Sequence, residues 1–404
     1  MSNYNKYWTA RENSKNAEIF TPSFLIREML DKIPDEIWKS SETTFLDPCF
    51  GSGSFLKCIA EKLREFGHDD LNISKRIWGI DISRKWYNRV KHFRVGEYNI
   101  ENIYCGDSLN TNILDNMKFD VVCGNPPFQD SSKVAKNSSL WMKFIPLCYS
   151  LCRDNGYLCM ISPDTWIAPS ETQKTEIKSI FSQRRTLEVN FNIKNYFPGI
   201  GSGFCYFIIE NIGDTETETK IIGSDGSGFV INFKEDTFLP KFINKISLSI
   251  FNKILNNPKY KKSGFSSSMR SNGEGTENGK YKIYSKKEEM MNVDEPAPNA
   301  GIKKIVVSKI SYLYPRYDNG IYGTGKNTYW KPINSEMEGE NYIKFLNTFL
   351  VKTLIDKLFR YSGFNSLGVL KALPELDWTK KWTDEDLFIE FDLKDDEIHF
   401  LKKL

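Results

Sequence analysis

KFDVVCGNPPFQD, Lys118–Asp130, runs from an apolar stretch containing Val121 and Val122 straight into an asparagine, two prolines and an aromatic ring. A strand that merely leaves a sheet needs neither the second proline nor the phenylalanine. Proline disfavours the helical region for the residue before it, so Asn125 is pushed extended, and Pro127 restricts Pro126 in the same way. The tip is therefore stiff. Proline nitrogens cannot donate, so the local backbone offers carbonyl acceptors, and the Asn125 amide oxygen adds another beside the flat face of Phe128.

Outward from this tip, short apolar runs alternate with helical patterns through the first half of the chain. They are TTFLDP, RIWGIDI, NIYCGD, FDVVCGNPP, GYLCMISPD, LEVNFNI and GFCYFIIEN, and they predict a parallel or mostly parallel α/β sheet of seven strands. The helix expected from about Leu140 to Cys152 sets Trp141, Ile145, Cys148 and Cys152 on one face, which is a packing face without chemistry.

Three of these strands end in carboxylates. FLDPCFGSGSF passes from Asp47 and Pro48 into a Gly51-x-Gly53 turn, where glycines allow a ligand close to the backbone. A dinucleotide fingerprint would also want glycine where Leu56 stands, so a nicotinamide cofactor is disfavoured. WGIDIS ends its strand at Asp81, suited to a ribose with two free hydroxyls, and Gly106-Asp107 ends the next, suited to an exocyclic amine. Singly, each aspartate could be a turn former. In succession they outline a crevice for a nucleoside bearing an amino-acid tail.

At 404 residues, 40 % hydrophobic and 26 % charged, the chain has room for two domains of ordinary globular composition. No apolar run approaches the roughly 20 residues of a membrane span, and the opening MSNYNKYW lacks the character of a signal peptide, so the expectation is a cytoplasmic protein with no membrane partner. The eight cysteines sit in apolar contexts without a CxxC pair and only three histidines exist, which predicts core thiols and no metal site. Texture changes after Asn211, in the turn-rich NIGDTETETK and GSDGSG, and the boundary is expected between residues 1–225 and 226–404. Residues 264–279 read as a mobile loop. Residues 241–331 hold 17 Lys and Arg against 7 Asp and Glu, whereas 332–404 hold 10 against 14, so a basic segment precedes an acidic tail. In that tail Thr383, followed by Asp386, has the form of a helix-start capping box.

The chain resembles the S-adenosylmethionine-dependent DNA adenine-N6 methyltransferases of the γ arrangement, as found in type II restriction-modification systems. AEIFTPSFLIREML matches the N-terminal cofactor motif through Phe20, Thr21 and Pro22, and DPCFGSGSF, GIDIS and GD match the next three; NPPF is the catalytic tetrapeptide. NYFPGIGSGFCYFII is similar to the later motif whose aromatic residue, here Phe197, lines the target-base pocket. The match runs over residues 18–210. What the resemblance implies is a Rossmann-like seven-stranded methyltransferase sheet followed by a mixed α/β target-recognition domain with a helical C-terminal tail. Asn125, Pro126, Pro127 and Phe128 would be catalytic; Phe20, Thr21, Pro22, Asp47, Pro48, Gly51, Gly53, Asp81, Ile82 and Asp107 would hold S-adenosyl-L-methionine.

Double-stranded DNA is the implied substrate, with a separate restriction endonuclease as a further partner if the chain serves such a system. Arg270, Arg316 and Lys326 in the basic segment are the candidates for DNA contact. Phenylalanine instead of tyrosine at 128 departs from the commonest motif and retains the stacking surface. The same tetrapeptide serves enzymes acting on N4 of cytosine, on ribosomal RNA or on protein glutamine, and a catalytically silent specificity subunit is the alternative of another class. The large basic, aromatic-rich second half and the intact Asp47, Asp81 and Asn125 weigh towards DNA adenine.

Overall fold

The computed structural model describes residues 20–128, 140–168, 174–197, 203–213, 218–232, 238–268, 278–285, 290–294, 298–310, 313–359 and 366–404. The chain divides into two compact units. One comprises Met1–Asp164 with Glu176–Glu235, the other Thr165–Thr175 with Asp236–Leu404.

In the first unit the seven expected runs become β1 (Phe45–Asp47), β2 (Ile77–Asp81), β3 (Asn102–Cys105), β4 (Phe119–Gly124), β5 (Cys152–Pro163), β6 (Arg184–Asn190) and β7 (Phe204–Gly213). All seven join one sheet. The expected count is nevertheless too low, because β8 (Glu218–Ile222) and β9 (Gly228–Asn232) extend it to nine strands in the order β9-β8-β6-β7-β5-β4-β1-β2-β3. These two lie in the stretch read as turn-rich. They form an edge hairpin with alternating exposed residues, closed by a turn at Gly223–Gly226 with Gly226 at φ +83°, so half of each strand is polar and glycine dominates the local sequence.

Pairing is parallel from β5 through β4, β1 and β2 to β3, and again between β6 and β8. Apart from the antiparallel edge hairpin of β8 and β9, the exception is β7, which runs antiparallel between β5 and β6. Its first residue, Phe204, consequently sits opposite Pro163, the last residue of β5. The reversed strand delivers its beginning to the rim where its neighbours deliver their ends.

Helices cover the sheet because their apolar stripes repeat at helical spacing. In α1 (Ser23–Leu30), Leu25, Ile26, Met29 and Leu30 are fully buried, and in α2 (Ser54–Glu65) Phe55, Leu56, Cys58, Ile59, Ala60 and Leu63 face inward. Each large aliphatic side chain so buried contributes about 1.5–3 kcal/mol. Arg27 of α1 also reaches Glu61 and Glu65 of α2 at 2.6 and 3.1 Å, but these partly exposed pairs add little. A further helix, α3 (Arg84–Val90), follows β2, and α4 (Trp141–Leu151) follows the NPPF tip with Trp141, Ile145 and Cys148 buried as its spacing requires.

The second unit is mixed α/β. Its larger sheet joins Ser266–Ser267, β12 (Thr328–Pro332), β10 (Lys303–Ser308) and β11 (Arg316–Asn319) in that order, so residues 266–267 are strand where a mobile loop was expected. Thr383 and Asp386 form the anticipated capping box ahead of the helix Asp384–Glu390. Inside this unit Lys304, 0 % exposed, meets Asp318, 3 % exposed, at 2.7 Å. Asp318 also accepts from Tyr284 Oη at 3.2 Å and from the backbone N–H groups of Gly320 and Tyr322 at 2.9 and 3.2 Å. That charge is buried and fully dressed. No helix among the described residues is long and apolar enough to cross a membrane.

Candidate active site

Parallel pairing puts the carboxyl ends of β4, β1, β2 and β3 along one rim, and with them Asn125, Asp47, Asp81 and Asp107. Local conformation follows from glycine. Gly51 at φ +49° and Gly53 at φ +79° occupy the left-handed region that other residues avoid, and the Gly53 N–H bonds Phe50 O at 2.7 Å to close the turn before α2. Space matters as well: a side chain at Gly53 would press on Val90 of α3 at 3.2 Å.

Asp81 fastens this turn. Its Oδ2 accepts from Gly51 N at 2.8 Å and its Oδ1 from Ser83 N at 2.7 Å, so the residue has the turn-forming duty that an aspartate at a strand end can take. Ile82, next in line, is 72 % exposed. Asp107 closes its own loop, accepting from Leu109 N at 3.1 Å and Asn110 Nδ2 at 2.6 Å. The carbonyl of buried Pro48 receives the Ser108 hydroxyl at 2.5 Å, tying the β1 and β3 exits together.

Asp47 is different. It is 1 % exposed and accepts from the Cys49 N–H at 3.0 Å. Burial, reinforced by the negative charge of Asp81 and only partly offset by Cys49, pushes its carboxyl up to about 8. Gly124, last residue of β4, lies directly against it: a Cβ there would stand 2.8 Å from Asp47 Oδ1. The glycine before the asparagine thus keeps the face of this carboxyl clear. Its place just ahead of NPPF was the available signal.

The stiff tip packs as its composition suggests. Pro126 is buried, Pro127 exposed and Phe128 half-buried. The Phe128 ring lies 4.9 Å from Phe204 at 34°, and Phe197, 3 % exposed, lies 5.4 Å from the same ring at 53°. Phe204, a strand residue as the sequence reading has it and only 1 % exposed, thus backs both of the aromatic rings expected at the target base. At the N-terminal motif, Phe20 is 51 % exposed and meets Trp86 of α3 edge-on at 5.7 Å, Pro22 caps α1, and Thr21 is buried with its Oγ1 accepting from Asn125 Nδ2 at 3.1 Å.

Of the DNA-contact candidates, Arg316 begins β11 with its guanidinium 5.6 Å over the Tyr284 ring. Lys326 is exposed, and its charge helps burial to lower the Lys309 ammonium below its ordinary value. Arg270 lies outside the described residues.

A mostly parallel α/β sheet with a carboxylate-lined rim and a rigid amide tip defines a Rossmann-like domain. Residues 36–197 match the model of the Eco57I restriction-modification methylase family. A Mycoplasma pneumoniae protein described as an uncharacterised adenine-specific methylase is 23 % identical over 335 residues, covering 60 % of this chain and 79 % of that one. The type II methyltransferase M.VspI of a Vibrio species is 32 % identical over 124 residues, 29 % of this chain and 27 % of the enzyme. Among solved structures, a type I restriction-modification methyltransferase subunit from Streptococcus thermophilus aligns at 18 % identity with a TM-score of 0.40, over 52 % of this chain and 48 % of that one. The chain therefore spans about a quarter of the Vibrio enzyme and about half of the Streptococcus subunit.

Proposed function

We propose that the protein transfers a methyl group from S-adenosylmethionine to the N6 amine of an adenine rotated out of duplex DNA, as part of a restriction-modification system. The observation that carries this reading is the approach of β4 to β1: Asn125 follows a glycine whose missing side chain bares Asp47. A buried carboxyl acted on by a second carboxylate suits a cationic ligand, so the residues present fit a cofactor bearing an ammonium and a sulfonium. Asp47 and Asp81 would hold it, with the Gly51–Gly53 turn allowing close approach. When bound, it supplies an electrophilic methyl group; the new N–C bond forms as the S–C bond breaks, and the surplus amine proton leaves to solvent.

The chain's own contribution is positioning. An adenine N6 amine shares its lone pair with the ring, and two acceptors, Asn125 Oδ1 and the Pro126 carbonyl, would draw its two hydrogens out of plane and free that pair. Extruding the base costs a few kcal/mol, and stacking on Phe128, itself braced by Phe204, offsets about 1–3 kcal/mol of it. Adenine is favoured by the name of the Mycoplasma relative. The second unit would grip the duplex through its basic segment, Arg316 and Lys326 included.

Incubation with methyl-labelled cofactor should label unmethylated duplex DNA at adenine; label in protein or structured RNA alone would defeat the assignment. Asn125→Ala should lower kcat at least about a hundredfold while cofactor affinity stays within about twofold.

A further inference from the structure

Asn125 is useful to an amine in only one orientation. Its amide presents an acceptor at one end and two donors at the other, and an end-over-end turn would set N–H against N–H. Something must choose.

We infer that Thr21 is the positioning residue that makes this choice, its hydroxyl oxygen accepting from Asn125 Nδ2 at 3.1 Å and so turning Oδ1 the other way. The inference rests on the proposed methyl transfer and gives Thr21 a duty towards Asn125, apart from the cofactor contact that the N-terminal motif implies.

Both ends of this hydrogen bond are stiff for the same reason. Thr21 precedes Pro22 and Asn125 precedes Pro126, so each sits in a backbone held out of the helical region by the ring that follows. Residues 104 apart in the chain thus meet through two Xaa-Pro steps. Thr21 is 8 % exposed, so bulk water competes weakly for its hydroxyl.

Behind Thr21 stands a fixed support. Pro22 caps α1 with φ −61° and ψ 139°, and α1 is anchored to the sheet by Glu28, which accepts from Tyr206 Oη of β7 at 2.7 Å and from Asn190 Nδ2 of β6 at 3.3 Å. Tyr206 is wholly buried and bonds Glu188 at 2.7 Å as well. The hydroxyl that meets Asn125 thus sits just ahead of a helix tied to two strands.

Thr21→Val keeps the shape and removes the acceptor; Thr21→Ser keeps the acceptor. With unmethylated duplex DNA as substrate and saturating cofactor, kcat of the valine variant should fall about tenfold, the loss of one hydrogen bond, and the serine variant should return to near wild type. Wild-type kcat in Thr21→Val, or a loss confined to cofactor affinity, overturns the inference. If valine upsets folding, Thr21→Ala takes its place under the same criteria.

A second readout needs no turnover. In protein labelled with ¹⁵N-asparagine and free of cofactor, the side-chain amide signal that disappears in Asn125→Ala should be ordered in wild type and Thr21→Ser and mobile in Thr21→Val. Equal order in all three sinks the inference. Should wild type methylate no DNA, the functional reading falls and this amide signal still decides the role of Thr21.

Discussion

Each unit buries an aspartate, and the two are handled in opposite ways. Asp318 in the second unit is 3 % exposed and is met by an ammonium, a phenol and two backbone N–H groups. Asp47 in the first unit is 1 % exposed, is bonded by its neighbour Cys49, and the charge acting on it is another carboxylate. A compensated buried charge holds strands together; one left to repel its neighbour costs stability, and it persists where a ligand's charge is to complete it. The contrast separates architecture from site without reference to any motif.

The largest effect should come from breaking the compensated pair. Lys304→Met leaves Asp318 buried without its cation and should destabilise the second unit by about 3–5 kcal/mol in urea unfolding, with Lys304→Met combined with Asp318→Asn regaining most of it. If the single variant unfolds like wild type, the two aspartates are not different in kind.

The site aspartate should respond with the opposite sign. Its folded-state carboxyl is raised to about 8 against an ordinary value of 3.8, so between these the unfolded chain has released the proton while the fold retains it, and stability falls as pH rises. Asp47→Asn removes that penalty. It should raise stability by about 2–3 kcal/mol at pH 8, by clearly less at pH 5, and abolish cofactor binding by calorimetry. A destabilised variant at pH 8 would erase the comparison.

The smallest change sharpens it. Tyr284→Phe deletes one neutral donor to Asp318 at 3.2 Å and leaves the lysine in place, so the loss should stay near or below about 1 kcal/mol. A loss as large as that of Lys304→Met would make the phenol, not the ammonium, the chief partner.

Much of the first aspartate's setting was legible, and almost none of the second's. Asp47 closes an apolar run and precedes a glycine pair, so its strand-end position follows from period and turn chemistry alone. In GIKKIVVSKI nothing but alternation separates exposed Lys303 from wholly buried Lys304, and the partner lies on another strand, where local pattern has no reach. The same limit hid the Thr21–Asn125 contact, although both proline steps were in plain view. The edge strands β8 and β9 escaped for a different reason: an edge hairpin buries only alternate residues, and the glycines that close it read as loop. Thr383 and Asp386 were readable because a cap is local.

The reversed strand β7 has a practical outcome for anyone recombining such enzymes. Because it starts where its neighbours finish, it brings Phe204 under the ring of Phe128, so the NPPF loop rests on a residue the chain lays down much later. Moving the NPPF segment alone into a foreign host would leave its aromatic without a floor. A working transplant has to carry both pieces of chain and the strand direction that unites them.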